Sequence, residues 1–511
     1  MKRRNFSKNA LTAVFGATAL SAAAKSDKKT AINSKKASVN IIEYGALADG
    51  KTVNTKAIQK AIDDMAAEGG GVINIPAGTF VSGCIQLKSN ITLDIAPGGV
   101  LYASGNIDDF PVIKQDYELT DTHGRHLIYA SRAQNVCIRG GGIIYGNGPA
   151  FWEPIIPNTW VRAKEKRVQP FLKFDYCTNF RMENVTLENS PGWTCNLYLC
   201  DYIWINRVQI KDNEYGPNND GFDLVGCRDV VISDCHIDCS DDAICFKSTK
   251  GSRSCERIVV TNCIIRTKCA AFRIGAETWY DMKQITFSNS VVYESSRAID
   301  IANYDGGNVE DIMVSNIVCD SNSGNPMNRL IHLELLKSRG DWGGNVAGPV
   351  GKMRRITISN ISMISDGRIL LTAADGGILE NITLRDIFIT HPWIEDPVAV
   401  KDKSDQLQAS NNNPVARIAR ASVVVENAKN LFIDNINITW PTGKIPADFK
   451  PKYENGELLF DPVKRGDKSA DFHAFWGNGI ENALINIPFA TASKEGMPKT
   501  VITNSKNVKE N

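Results

Sequence analysis

Ile258-Val259-Val260-Thr261-Asn262-Cys263-Ile264-Ile265 contains the fold in miniature: an alternating apolar run, one short polar residue, then a second apolar run. The unit recurs around it. Val230-Val231-Ile232-Ser233-Asp234-Cys235-His236-Ile237 precedes it, and Ile285-Thr286-Phe287-Ser288-Asn289-Ser290-Val291-Val292 follows. Ile312 to Val318 and Ile356 to Met363 repeat it again around Asn316 and Asn360. The Asn or Asp positions 184, 206, 234, 262, 289 and 316 lie 22, 28, 28, 27 and 27 residues apart. Period-two alternation marks strands, and most units leave no room for a helix. Strands of one length at one spacing predict a solenoid, with the short polar residue at a turn, stacked on its copy one coil away. The expected fold is all-β: a right-handed parallel β-helix of at least eight coils.

The rest of the chain fits around that core. Thr55 to Glu68 reads as an amphipathic helix, with Ile58, Ile62 and Met65 on one face and Gly69-Gly70-Gly71 as its stop. Such a helix can cap the open end of a solenoid. Residues 38–440 are expected to form the β-helix, and 441–511 an irregular cover with a last strand pair. Pro392 to Asn412 reads as an excursion loop. Residues 1–24 resemble an export signal: basic Lys2 to Lys8, an Ala-rich apolar stretch, and Ser21-Ala22-Ala23-Ala24 as cleavage site. Arg3-Arg4-x-Phe6-x-Lys8 also resembles a twin-arginine signal. A linker over 25–37 and a periplasmic or secreted location follow as expectations. The 511 residues carry 58 Lys and Arg against 57 Asp and Glu, a poor footing for nucleic-acid binding. No apolar run in the body reaches a membrane span. Thirteen cysteines leave at least one unpaired. Most sit at apolar strand positions, so buried thiols are expected, with room for one or two disulfides.

Stacking identical positions about 4.7–4.9 Å apart places Phe222, Ile244, Phe272, Ile299 and Ile331 inward. Asp223, Cys245, Arg273, Asp300 and His332 then form an outward column. Asp220 and the pair Asp241-Asp242 precede two of these strands, gathering four carboxylates on two coils. Like charges that close cost about 1–4 kcal/mol per pair and raise at least one pKa. That is how a carboxyl stays protonated to serve as an acid, and paired carboxyls with separated pKa values are what glycosidic hydrolysis requires. Turn formation by Asp and calcium binding are competing readings of the same acids.

Asn218-Asn219-Asp220-Gly221-Phe222-Asp223 and Ser240-Asp241-Asp242-Ala243-Ile244 resemble the two acidic boxes of glycoside hydrolase family 28, the polygalacturonases and rhamnogalacturonan hydrolases. Tyr44-Gly45-Ala46, Gly69-Gly70-Gly71, Gly146-Asn147-Gly148 and Asn189-Ser190-Pro191-Gly192-Trp193 extend the likeness over most of residues 40–390. The resemblance implies Asp241 as general acid, with Asp220 and Asp242 positioning and activating water, and inversion at the anomeric centre. It implies no cofactor and no metal, and a pectic or related acidic polysaccharide as partner. The family's Gly-His-Gly box falls on Cys269-Ala270-Ala271, and its Arg-Ile-Lys box on Asp300-Ile301-Ala302. With those cations gone, Arg273 is either a replacement fork for a sugar carboxylate or a counterion for Asp300. Asn218, Asp223, Lys247, Arg273 and Asp300 are the expected substrate contacts, with Trp279 and Tyr280 as the preferred sugar-stacking pair. Trp152, Trp193 and Tyr304 are further aromatic candidates. His332 reads as a surface histidine or, with Glu334, a distal subsite. A polysaccharide lyase and a non-catalytic glycan-binding solenoid remain alternatives.

Overall fold

Three strands make a coil. Phe222–Val225, Arg228–Ser233 and His236–Cys239 form one. Ile244–Ser248, Cys255–Thr261 and Ile264–Thr267 lie in parallel register on them as the next. Farther along, the second and third strands run on as one bent element, as in Met282–Tyr293, Asn308–Asp320 and Lys352–Ile364. This is a right-handed parallel β-helix, as expected from the repeat. The computed structural model describes residues 36–117, 123–326, 328–337, 348–400, 416, 418–454, 456–465 and 470–511. The expected leader and nearly all of the linker lie outside them, as does 401–412 of the expected excursion. Everything below concerns the unit Ala37–Asn511.

The predicted inward row is present. Phe222, Ile244, Phe272, Ile299 and Ile331 pair in register and are fully buried. Phe272 stacks flat on Phe287 from another wall of its coil, with centroids 4.9 Å apart. The capping helix is Thr55–Ala67, and its buried residues Ile58, Ala61, Ile62 and Met65 join the core. All thirteen cysteines are free and most are buried, so no disulfide forms. In the apolar interior a thiol packs as a small hydrophobe.

The turns have their own chemistry. Asn184, Arg207, Asp234, Asn262, Asn289, Asn316 and Asn360 adopt left-handed φ between 52° and 59°. That conformation bends a strand sharply and suits residues whose short amide bonds locally. The expected column named Asn206, but the corner residue is Arg207. Asn206 ends its strand opposite Ser233; residue type pointed to the wrong neighbour, because an arginine occupies the bend. Along this corner Asn316 Nδ2 donates to Asn289 Oδ1 at 2.9 Å, and Asn360 Nδ2 to Asn316 Oδ1 at 2.7 Å. A second corner carries Asn90, Asn135 and Asn179 at one end and Asn381, Asn430, Asn482 and Asn507 at the other, again linked by side-chain amides.

The boundary expected at 440 does not hold. His473–Asn486 pairs in parallel with Ala421–Thr439, and Thr500–Thr503 and Lys506–Glu510 add to it. Only the intervening stretch is irregular, with a small antiparallel pair at Lys452–Glu454 and Glu457–Phe460. The repeat is hidden there because the long insertion breaks its spacing.

Candidate active site

Two turns lead into adjacent strands of one wall. Asn218 to Gly221 enters Phe222–Val225, and Ser240 to Ala243 enters Ile244–Ser248. Backbone bonds stitch them together: Gly221 N donates to Asp242 O at 3.0 Å, and Asp241 N to Asn219 O at 3.4 Å. A Cβ on Gly221 would sit 2.4 Å from Ala243 O, so the close approach needs glycine. The first turn is anchored from behind. Asp212 accepts from Ser190 N at 2.8 Å and from the Ser190 and Thr194 hydroxyls at 2.7 Å each. Asn219 Nδ2 reaches Ser190 Oγ at 3.1 Å. Arg167 donates to Pro217 O at 2.9 Å and to Asn218 Oδ1 at 3.1 Å. Neither Asp212 nor Arg167 belonged to a motif, so the sequence offered no signal for them.

The three expected catalytic acids converge on these turns. Asp220 and Asp242 are buried, while Asp241 is partly open to solvent. Burial, with the charges of Asp241 and Asp223 beside it, pushes Asp220 well above the ordinary carboxyl range. Burial and then the Asp242 charge raise Asp241, while the Cys269 thiol, Arg273 and Arg297 pull it down. Asp242 is clamped: Ala270 N donates to its Oδ1 at 3.2 Å, and Arg273 Nε lies 3.1 Å from its Oδ2. Burial and like charge thus push two carboxyls of the cluster up, while a guanidinium stands against the third, an asymmetry that acid and base chemistry on one bond can use. The Cys269 sulfur and the Asp241 and Asp242 oxygens all lie within 4.8 Å of one another, which is the donor set of a cation site. Two guanidiniums already stand against it and supply that positive charge.

The profile of glycosyl hydrolases family 28 matches residues 68–392, a span containing every residue of this cluster. The chain belongs to that family. A probable polygalacturonase of Vitis vinifera is 28% identical over 56% of this chain and 61% of its own length. An endo-polygalacturonase of Pectobacterium carotovorum is 24% identical over 69% of this chain and 89% of its own. The chain therefore spans less than two thirds of the grape relative. Among solved structures, the exopolygalacturonase of Thermotoga maritima superposes with TM-score 0.61 at 22% identity, over 79% of this chain and 91% of that one. The family 28 exopolygalacturonase of Yersinia enterocolitica gives TM-score 0.63 at 16% identity, over 92% and 78%.

In this family 28 chain the outward column has the expected register, Asp223 to Cys245 to Arg273 to Asp300 to His332. Its exposure differs. All five side chains are buried, and Cys245 Sγ and Arg273 Nε both bond to Gly275 O. Asp223 pairs with Lys247 at 3.2 Å, and Lys247 lies over the Trp193 ring at 4.1 Å. Burial raises Asp223 to about 7 against the pull of Lys247. Burial alone would raise Asp300, but Arg297, Arg273 and His332 outweigh it and hold its carboxyl well below the usual range. Arg273 Nη1 and Arg297 Nη1 each sit 2.8 Å from Asp300 Oδ2, and His332 Nδ1 sits 2.9 Å from Oδ1. Arg273 is thus the counterion of Asp242 and Asp300, not an open fork. His332 is no surface histidine, and Asp300 is an ion-pair hub rather than a substrate contact. Arg297 was missed because it opens its strand outside the compared column.

The aromatic candidates separate in the same way. Trp152, Trp193 and Tyr304 are buried; Trp152 Nε1 donates to Pro191 O at 3.0 Å, and the Tyr304 hydroxyl meets Glu334. Glu334 is itself buried, so it forms no distal subsite with His332. Tyr280 is 38% exposed, and the half-buried Trp279 beside it has Lys250 Nζ 5.6 Å from its ring centre. The preferred pair is the one that faces solvent.

Proposed function

We propose that the protein is an exported hydrolase of pectic polysaccharide, cleaving glycosidic bonds with inversion. The observation that carries this reading is the convergence of Asp220, Asp241 and Asp242 on two facing turns, with Arg273 against Asp242, in a family 28 chain. Asp241 is the one of the three with a partly open side chain, and it gives its proton to the leaving glycosidic oxygen. Asp242, clamped by Arg273, takes up the proton of a water that Asp220 on the facing turn helps to orient against the anomeric carbon. Trp279 and Tyr280 offer ring faces for sugar stacking. The basic and apolar opening segment supports export.

The test is turnover on a panel of pectic polysaccharides, with products identified by mass spectrometry, for the native protein and Asp241→Asn. Reducing ends without unsaturation are expected from the native protein, and a loss of about 10²–10⁴-fold in the variant, as for a general acid. Unsaturated products would assign a lyase instead. Binding without any cleavage would make the molecule a glycan-binding solenoid.

A further inference from the structure

A groove of about 460 Å³, the size of a small-molecule site, lies on a wall away from the acids. Arg181, Glu183, Trp204, Asn206, Arg207 and Ser233 line it. It is built on the second strands of three successive coils, Thr178–Glu183, Asp201–Asn206 and Arg228–Ser233, whereas the acids precede first strands. Parallel register gives it two outward rows. Arg181, Trp204 and Val231 form one, and Glu183, Asn206 and Ser233 the other. Asn206 Nδ2 donates to Ser233 Oγ at 2.7 Å, which holds the polar row in shape. Trp204 is 37% exposed, and the Arg181 guanidinium carbon lies 5.2 Å from its ring centre.

The charges set this groove apart. Elsewhere on the solenoid Arg139, Arg257 and Arg355 each pair with an acid one coil away, Asp94, Asp229 and Asp311. Arg181 and Arg207 are exposed, and among the described residues neither forms an ion pair. Register explains why. The in-register neighbours of Arg181 are Cys137 and Trp204, neither of them an acid. Asp234, at the bend that Arg207 occupies one coil earlier, takes Asn206 Nδ2 at 2.9 Å and Asn262 Nδ2 at 3.3 Å instead. Glu183 is the one carboxylate of the lining, so two guanidiniums leave the groove net positive. An aromatic ring beside uncommitted guanidiniums suits a sugar acid: the ring takes the apolar face of the pyranose, and a guanidinium grips a carboxylate with two parallel hydrogen bonds.

We propose that this groove is a second, non-catalytic binding site for an acidic polysaccharide, with Trp204 against a sugar ring and Arg181 and Arg207 on uronate carboxylates. This rests on pectic polysaccharide being the polymer that the enzyme cuts. A hold on a wall that does no chemistry keeps uncut chain at high local concentration near the acids.

The experiment is affinity electrophoresis in the cold, through gels holding polygalacturonate, polyacrylate or neutral galactan, with mobility referred to a polymer-free gel. The proteins are the native chain, Trp204→Ala, and the double variant Arg181→Ala with Arg207→Asn; asparagine suits the left-handed bend at 207. Each fold is checked by circular dichroism, and turnover of soluble trigalacturonate is measured alongside. Both variants should need about tenfold more polygalacturonate for the same retardation, with trigalacturonate turnover native. Unmoved retardation in both, beside native turnover, overturns the site and leaves the pectic reading standing. Turnover that falls with retardation overturns the non-catalytic assignment. Equal weakening on polyacrylate reduces the groove to plain anion attraction and overturns the sugar assignment; equal retardation of the native chain by galactan overturns the uronate assignment. A native chain that neither cuts polygalacturonate nor is retarded by it brings down the pectic reading and this inference with it.

Discussion

The strands that carry Phe222, Ile244, Phe272, Ile299 and Ile331 toward the core carry Asp223, Cys245, Arg273, Asp300 and His332 away from it. Both rows are buried. The inward row excludes water by packing alike side chains one above another, so each member does the same job as its neighbours. The outward row is dry because each charge meets a different partner: Lys247 for Asp223, Asp242 and Asp300 for Arg273, and two guanidiniums with the His332 imidazole for Asp300. A repetitive row tolerates exchange of volume for volume. A heterogeneous row does not tolerate loss of one member, since its partners are left charged in a low-dielectric site.

The sharpest way to break that contrast is Asp300→Ala. Removing it strands Arg273, Arg297 and His332, and should cost about 3–5 kcal/mol in denaturant unfolding and displace the Arg273 clamp on Asp242, so that turnover falls too. Phe272→Ala should cost a comparable 3–5 kcal/mol from its cavity, yet leave the kcat of the remaining folded protein near native. If Phe272→Ala abolished turnover in folded protein while Asp300→Ala spared it, the division of labour between the rows would be wrong.

Asn316→Ala probes the corner and should cost about 1–2 kcal/mol, for a left-handed backbone without its amide.

The smallest effect concerns pH. Burial raises Asp212 to about 7. An acid whose folded pKa lies above its unfolded value binds more protons when folded, so its contribution falls as pH rises from about 4 to 7. Asp212→Asn should therefore flatten the decline of thermal stability across that window. An unchanged slope would show that Asp212 does not take up a proton on folding.

Much of this was legible in the sequence because a solenoid writes one geometry repeatedly. Period-two alternation at a near-constant spacing located the strands, and stacking them by register gave both rows of residues without reference to any relative. The two acidic boxes then located the turns. What could not be read was whatever depends on chain arriving from elsewhere. Whether Asp300 faces solvent is decided by the side chains of Arg273, Arg297 and His332 that close on it, which strand alternation alone does not reveal. Arg207 took a bend where an asparagine was sought, because strand register fixes the bend and residue type only favours it. The last strands were expected as a pair but not as part of the solenoid, because an insertion of irregular length precedes them.

The asparagine corners also have a direction. Asn135 donates to Asn90, Asn179 to Asn135, Asn262 to Asp234, Asn316 to Asn289 and Asn360 to Asn316, always from the later coil to the earlier. Amide dipoles aligned head to tail reinforce one another, as peptide dipoles do along an α-helix. Each run of side chains is therefore a small electret, polarised along the solenoid axis. Asp234 interrupts the sense: as a carboxylate it can only accept, and it takes Asn206 Nδ2 at 2.9 Å from one side and Asn262 Nδ2 at 3.3 Å from the other. Two amide donors thus meet on one negative charge, and the head-to-tail run ends there, in the coil that leads from Asp220 to Asp241.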